Sequence, residues 1–209
     1  MFISITPYKI YAFSVLELNL CIFFLMIGSN SSRWLYDFLT VFFKEWRFFK
    51  ILLWNNCLKD IFSLFIDLHF TGKRKFEELK KQDIKLDFSS NEDFYSQIKN
   101  RISDDFDFKE YSERQKLINK ILNPNNESKE ELDNIYKNVL IRNVIQHRNN
   151  IVDSYILKRL GSSQIKILDM AGNLKFYKEN DKILLSIPEI HSFKSSMFII
   201  GQIWRVKDE

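Results

Sequence analysis

Apolar residues recur at three- and four-residue steps over much of the chain, a spacing typical of amphipathic helices. The longest such stretch covers 34–70 and predicts one long helix or two consecutive helices. A shorter one covers 114–122 and stops at an Asn-Pro sequence. The stretch between them, 86–112, mixes Asp, Asn, Ser and Phe, and its weaker pattern predicts irregular structure or short helices.

A further helix is predicted to start at Ser128 and to run into the 140s. Glu131 stands three residues after Ser128, the spacing of a capping box, in which the hydroxyl and the carboxylate each bond a free amide. A short helix should follow, capped by Asp153 and ended by Gly161, because Asp favours N-caps and Gly favours helix ends.

The last third of the chain contains strand-like segments in addition to a helix. Residues 165–168 and 182–185 resemble two short strands or extended arms, with Gly172 in a turn between them, and Pro188 marks the start of a final helix. The pattern as a whole predicts an all-α fold, a helical bundle with a short β-hairpin near 164–186.

Composition supports long helices. The chain has 209 residues with only 5 Gly and 3 Pro, too few for the many tight turns of a sandwich or barrel. Aromatic residues make up 15%, which predicts a bulky, ring-rich core. The net charge of +4 is spread along the chain, so it permits RNA binding without requiring it.

The amino-terminal residues allow two interpretations. Residues 10–28 approach the length of a membrane span, but Glu17 and Asn19 lie near their middle, where a charge is costly. We therefore predict an apolar N-terminal segment at 1–30 and a single helical domain at 31–209, with a membrane anchor as the alternative. Cys21 and Cys57 lack the spacing of a disulfide framework or zinc site, which favours a cytoplasmic protein.

Known catalytic motifs are absent from the sequence, including Gly-rich phosphate loops, HExxH, GxSxG and paired carboxylates. The polar residues of interest lie in 141–153, which read IRNVIQHRNNIVD. There, Arg142 precedes His147 with four residues between them, and Asn143 follows the arginine directly.

This arrangement resembles the signature of ribonucleases of the HEPN superfamily (higher eukaryotes and prokaryotes nucleotide-binding domains), in which four to six residues separate an Arg from a His. Some members also carry an acid, three residues, Lys and Asp on an early helix. Here Lys59 and Asp60 match that pattern, but Asn55 stands in place of the acid. The resemblance implies a HEPN-like helical bundle and a homodimer in which both motifs face one cleft.

The residue types suit RNA cleavage without a metal or other cofactor. His147 can transfer protons near neutral pH, Arg142 stays charged and matches phosphate oxygens, and Asn143 can bond a phosphate or orient the imidazole. On a straight helix Asn143 and His147 share a face, whereas Arg142 and His147 lie about 140° apart. Structural roles remain the alternative, with His147 bonding a carbonyl and Arg142 in a surface ion pair.

Two further cations are candidates for RNA contact. Arg148 could hold the RNA backbone or neutralise the carboxyl end of a helix, and Lys59 is a weaker candidate for a phosphate contact.

The sequence thus predicts a metal-independent endoribonuclease that acts as a toxin or antiviral defence effector on RNA, with an antitoxin or other regulatory protein as a further partner. The alternative is a catalytically inactive HEPN-like module that binds RNA, a nucleotide or a protein.

Overall fold

The computed structural model describes residues 32–89 and 91–204, with side chains described from Ile51 onward except for residue 90. Within these residues there are six α-helices, one 3₁₀ turn (Glu77–Leu79) and one two-stranded antiparallel sheet. In chain order the elements are α1 (Ser32–Phe70), α2 (Phe94–Phe108), α3 (Tyr111–Leu122), α4 (Lys129–His147), α5 (Ser154–Leu160), β1 (Ile165–Leu168), β2 (Leu174–Tyr177) and α6 (Ile187–Ile203). The predicted all-α fold with a short hairpin is confirmed.

Residues 46–204 form one compact unit, and α1 begins before it. The predicted N-terminal segment 1–30, with its alternative of a membrane anchor, lies outside the described residues. Among the helices that are described, none combines the length and the apolar content needed to cross a membrane.

Helix α4 contributes to two hydrophobic cores, one along each half of its length. Toward its amino end, Leu132 and Ile135 are buried in the larger core with residues of α1, α2, α3 and α6. Toward its carboxyl end, Ile141 and Val144 are buried in a smaller core with α5 and the hairpin. The carboxyl end of α4 is therefore held by its apolar face, which leaves its polar face available.

The larger core contains the predicted rings. Trp54 stacks on Trp204 with ring centroids 5.4 Å apart, and both indole N–H groups are used. Trp54 Nε1 donates to the Tyr111 hydroxyl over 2.7 Å, and Trp204 Nε1 donates to Asn119 Oδ1 over 3.1 Å. Burial raises the pKa of the Tyr111 phenol far above its usual value, so this hydroxyl stays protonated.

A row of polar groups joins α4 to α6, and we call it the polar seam. Its central residue, Glu189, is 0% exposed. One carboxylate oxygen accepts from Asn138 Nδ2 at 3.0 Å and lies 2.8 Å from Lys137 Nζ, and the other accepts from the Leu168 amide at 2.9 Å. The seam comprises Asn134, Lys137 and Asn138 of α4 and Glu189, Ser192 and Ser196 of α6.

The predicted capping box at Ser128 is wrong. Ser128 has left-handed backbone angles (φ 52°, ψ 46°), and its side chain makes no cap hydrogen bond. A hydroxyl cap needs extended backbone at that residue, so the geometry excludes it. The preceding loop is held by Asn123 instead, whose Oδ1 accepts from the Glu127 amide at 3.0 Å and whose Nδ2 donates to the Glu127 carbonyl at 2.8 Å.

The second strand of the hairpin is also misplaced in the prediction. β1 pairs with β2, so that Ile165 lies opposite Tyr177, while 182–185 contributes only an isolated bridge between Lys182 and Ile151. The reason is a tight turn directly after β1. The Asp169 carboxylate accepts from the amides of Ala171 and Asn173, and Gly172 adopts φ 82°.

Helix α2 departs from the prediction in detail, whereas α1 agrees with one of its two predicted alternatives. The weakly patterned region contains the 15-residue helix α2, whose N-cap Asp93 accepts from the Ser96 amide. The stretch 34–70 forms one helix rather than two. The final helix starts as predicted, with Pro188 in its first turn and the Ser186 hydroxyl accepting from the Glu189 amide.

Candidate functional site

The candidate site lies where α4 ends. The amides of Arg148 and Asn150 both donate to the Val144 carbonyl, over 3.0 and 3.3 Å, and this closes the last turn after His147. Asn149 and Asn150 then adopt left-handed backbone angles, with φ of 50° and 67°. Asn tolerates this conformation better than most residues, so the sequence Asn-Asn sets the end of the helix.

The chain then turns back to place α5 beside α4. Val152 is fully buried, and its amide donates to the Asp181 carbonyl at 3.0 Å. Asp153 caps α5 by accepting from the Ile156 amide at 2.9 Å, and Gly161 ends it with φ 62°. Both ends of α5 match the sequence prediction.

A groove of about 300 Å³ lies between the end of α4 and the start of α5. It is lined by Asn143, His147, Arg148, Tyr155 and Ile156. We call it the helix-end groove. His147 is exposed here, not enclosed in apolar packing, and Asn143 lies one turn before it on the same helix face, as the 3.6-residue repeat requires.

Arg142 does not line this groove. It is half-buried on α4, and its Nη1 donates to Asn143 Oδ1 over a long 3.4 Å. The helix continues unbroken to His147, so the angular separation expected from the sequence applies. Burial lowers the pKa of the Arg142 guanidinium, but an arginine remains charged at physiological pH.

The other two predicted contacts are both in ion pairs. Arg148 lines the groove, is the C-cap residue of α4, and its Nε lies 3.1 Å from Asp153 Oδ2. Its side chain is 58% exposed, so it can reach solvent ligands as well. Lys59 lies on α1 and pairs with Asp107 of α2 at 2.6 Å, and it is not part of the groove lining.

Tyr155 is the groove residue that sequence reasoning missed. It lies on α5 and is 54% exposed, whereas its neighbours Ile156 and Leu157 are buried. Tyr155 stands directly before Ile156 and Leu157 in a seven-residue helix, so the local pattern alone did not indicate that its ring is exposed.

No group of His, Cys, Asp or Glu within the described ranges is arranged to hold a metal ion. The groove itself offers an imidazole, a carboxamide, a guanidinium and a phenol. Such a set can bind a phosphodiester and move protons on it.

Comparison with family models, with curated proteins and with solved structures finds no match to this chain. The interpretation of the groove therefore depends on its own residues.

Proposed function

We propose that this chain is a metal-independent endoribonuclease of HEPN type that cleaves RNA in the helix-end groove, acting as a toxin or antiviral defence effector in the cytoplasm. The observation that carries the proposal is the exposed His147, which shares one groove with Asn143 and Arg148. A regulatory protein such as an antitoxin would be a natural partner for such an activity.

The proposed reaction needs no external reagent. A base takes the proton of the ribose 2′-hydroxyl, and the oxygen attacks the adjacent phosphorus. The bond from phosphorus to the 5′-oxygen breaks, and an acid protonates that oxygen. The products are a 2′,3′-cyclic phosphate and a 5′-hydroxyl. Histidine can perform either proton transfer, and Asn143 and Arg148 can bond the phosphate oxygens as charge develops.

A second copy of the chain completes the site in this proposal. The groove of one chain contains one imidazole, but the reaction needs a base and an acid at the same time. Two grooves related by a two-fold axis would bring two His147 side chains to one phosphodiester. Arg142 contacts Asn143 rather than the groove, so we assign it the role of adding positive charge behind that carboxamide.

One observation favours the alternative of a catalytically inactive binding module. Arg142 lies outside the groove of its own chain, so its guanidinium and the His147 imidazole do not converge there. A groove with an exposed imidazole and a guanidinium would still bind a phosphate without cleaving RNA.

Cleavage of RNA by the purified full chain in EDTA distinguishes the two functions. The nuclease proposal predicts cyclic-phosphate products from the wild type, and none from His147→Ala or Arg142→Ala at equal protein concentration. His191→Ala is the matched control, because His191 is also an exposed helical histidine but lies on α6. Cleavage that persists in both variants, or that requires a divalent ion, contradicts the proposal.

Sedimentation equilibrium tests the composite site. The wild-type chain of 25.2 kDa should sediment with twice that mass at the concentrations where it cleaves RNA. A monomeric chain with full activity would exclude a site shared between two copies.

A further inference from the structure

We infer that Tyr155 is the surface on which a nucleobase stacks when RNA occupies the helix-end groove. The inference rests on the proposed function, because it takes this groove as the place where RNA binds. It assigns a specificity-determining residue to α5, the element opposite the histidine.

The first support is the exposure of the ring. Tyr155 is 54% exposed while Ile156, the next residue, is 3% exposed. Exposed aromatic rings are the usual stacking surfaces for unpaired bases, because every base has a flat face that can pack on them. The ring borders the same groove as His147 and Arg148, so a base on it would belong to a nucleotide at that site.

The second support is the guanidinium that holds the ring in place. Arg159, one turn further along α5, lies over the Tyr155 ring with 5.6 Å from its Cζ to the ring centroid. Arg159 is itself fixed by Glu110, through contacts of 2.7 Å from Nη1 to Oε1 and 2.6 Å from Nη2 to Oε2. A ring restrained in this way loses little freedom when a ligand packs on it.

The third support is that the groove offers one side chain for each of the two parts of a nucleotide. A nucleotide carries a phosphate and a base, and the groove offers Arg148 for the first and Tyr155 for the second. Asn143 and Ile156 complete the lining and bring no second aromatic ring. Tyr155 therefore offers the largest flat apolar face among the groove-lining residues, beside the smaller imidazole of His147.

Binding of a single-stranded 2′-O-methyl oligoribonucleotide, which lacks the attacking hydroxyl, tests the inference without cleavage. By fluorescence anisotropy, Tyr155→Ala should bind at least about fivefold more weakly than the wild type, and Tyr155→Phe should bind as the wild type does. Phe88→Ala is the control, since Phe88 is an exposed ring that does not line the groove. Urea unfolding verifies that each variant is folded.

A duplex of the same sequence provides the second arm. Paired bases hide their faces within the stack, so wild type and Tyr155→Ala should bind the duplex equally. Equal binding of the single strand by these two proteins would overturn the inference, as would an equal loss in Tyr155→Phe, which would point to the hydroxyl. Absence of single-strand binding by the wild type would overturn it as well.

Cleavage of unmodified RNA by the same wild-type preparation keeps the two hypotheses apart. A chain that binds the single strand through Tyr155 but does not cleave RNA refutes the nuclease and retains the stacking surface. A chain that cleaves RNA with undiminished affinity in Tyr155→Ala refutes the stacking surface and retains the nuclease.

Discussion

The polar seam and the helix-end groove lie on the same helix and use similar residues in opposite ways. In the seam, Glu189 is completely buried, and each of its carboxylate oxygens has a donor from the protein. In the groove, His147 and Tyr155 are exposed, and Arg148 pairs with Asp153 while most of its side chain is in solvent.

The difference separates a structural polar cluster from a candidate binding site. Buried polar groups must be satisfied within the fold, since each one left without a partner costs free energy. Once satisfied, they have no capacity for a ligand. The groove retains that capacity, because the side chains of His147, Arg148 and Tyr155 are exposed to solvent, which a ligand can displace. The comparison predicts that changes in the seam affect folding and changes in the groove affect activity.

The largest effect is expected at His147. His147→Ala should lower the rate of RNA cleavage by about 10² to 10⁴-fold, the usual contribution of a general acid or base. Its unfolding free energy in urea should change by less than about 0.5 kcal/mol, because the side chain is exposed. If His147→Ala unfolded readily or cleaved RNA at the wild-type rate, the distinction between a structural seam and a functional groove would be wrong.

The second-largest effect is expected in the polar seam, where a substitution should lower stability. Glu189→Ala should lower the free energy of unfolding by about 2 to 4 kcal/mol, because it removes the buried acceptor of the Leu168 amide and the ion-pair partner of Lys137. Urea unfolding followed by circular dichroism measures it. Glu130→Ala, on an exposed position of α4, should cost far less. Similar costs for the two variants would show that the seam does not stabilise the fold.

A smaller effect is expected at the junction of α4 and α5. Asp153→Ala should cost about 1 kcal/mol of stability through loss of the cap on the Ile156 amide. Asp153→Asn keeps a capping oxygen but removes the ion pair with Arg148, so its stability should stay close to that of the wild type. If both variants lost the same stability, the ion pair rather than the cap would be the important contact.

The smallest effect concerns pH. The Arg159 guanidinium lowers the pKa of Glu110 below its ordinary value of 4.5. A lowered carboxyl pKa means that the pair is complete above pH 4.5 and is lost only as the pH falls through the lowered value. NMR signals of the Tyr155 ring should therefore show a shift on the acid side of pH 4.5, where this pair is lost. Glu110→Gln should remove that shift. If the shift persisted in this variant, the Tyr155 ring would not be sensing the Glu110–Arg159 pair.

Several elements could be predicted because their causes are local. Asp153 and Gly161 mark the ends of α5, and the Asn-Asn sequence after Arg148 ends α4, since caps and left-handed residues act on their own backbone neighbours. The predictions at Ser128 and at 182–185 were wrong because other contacts, also within a few residues, decide the local structure there. The loop fixed by Asn123 and the turn fixed by Asp169 override weak local preferences.

Part of the candidate site could be predicted from the sequence. The helical repeat predicted that Asn143 and His147 share a face and that Arg142 departs from it, and the groove contains the first two and not the third. Tyr155 could not be found, because its exposure depends on where α5 packs against the smaller core.

By itself, the sequence determined the helical class of this protein, both ends of α5 and the polar face that carries His147, because periodicity and capping act within a few residues. Only the tertiary structure decided that Glu189 is buried and satisfied while Tyr155 is exposed beside His147. Burial depends on contacts between segments far apart in the chain, and no local pattern contains them.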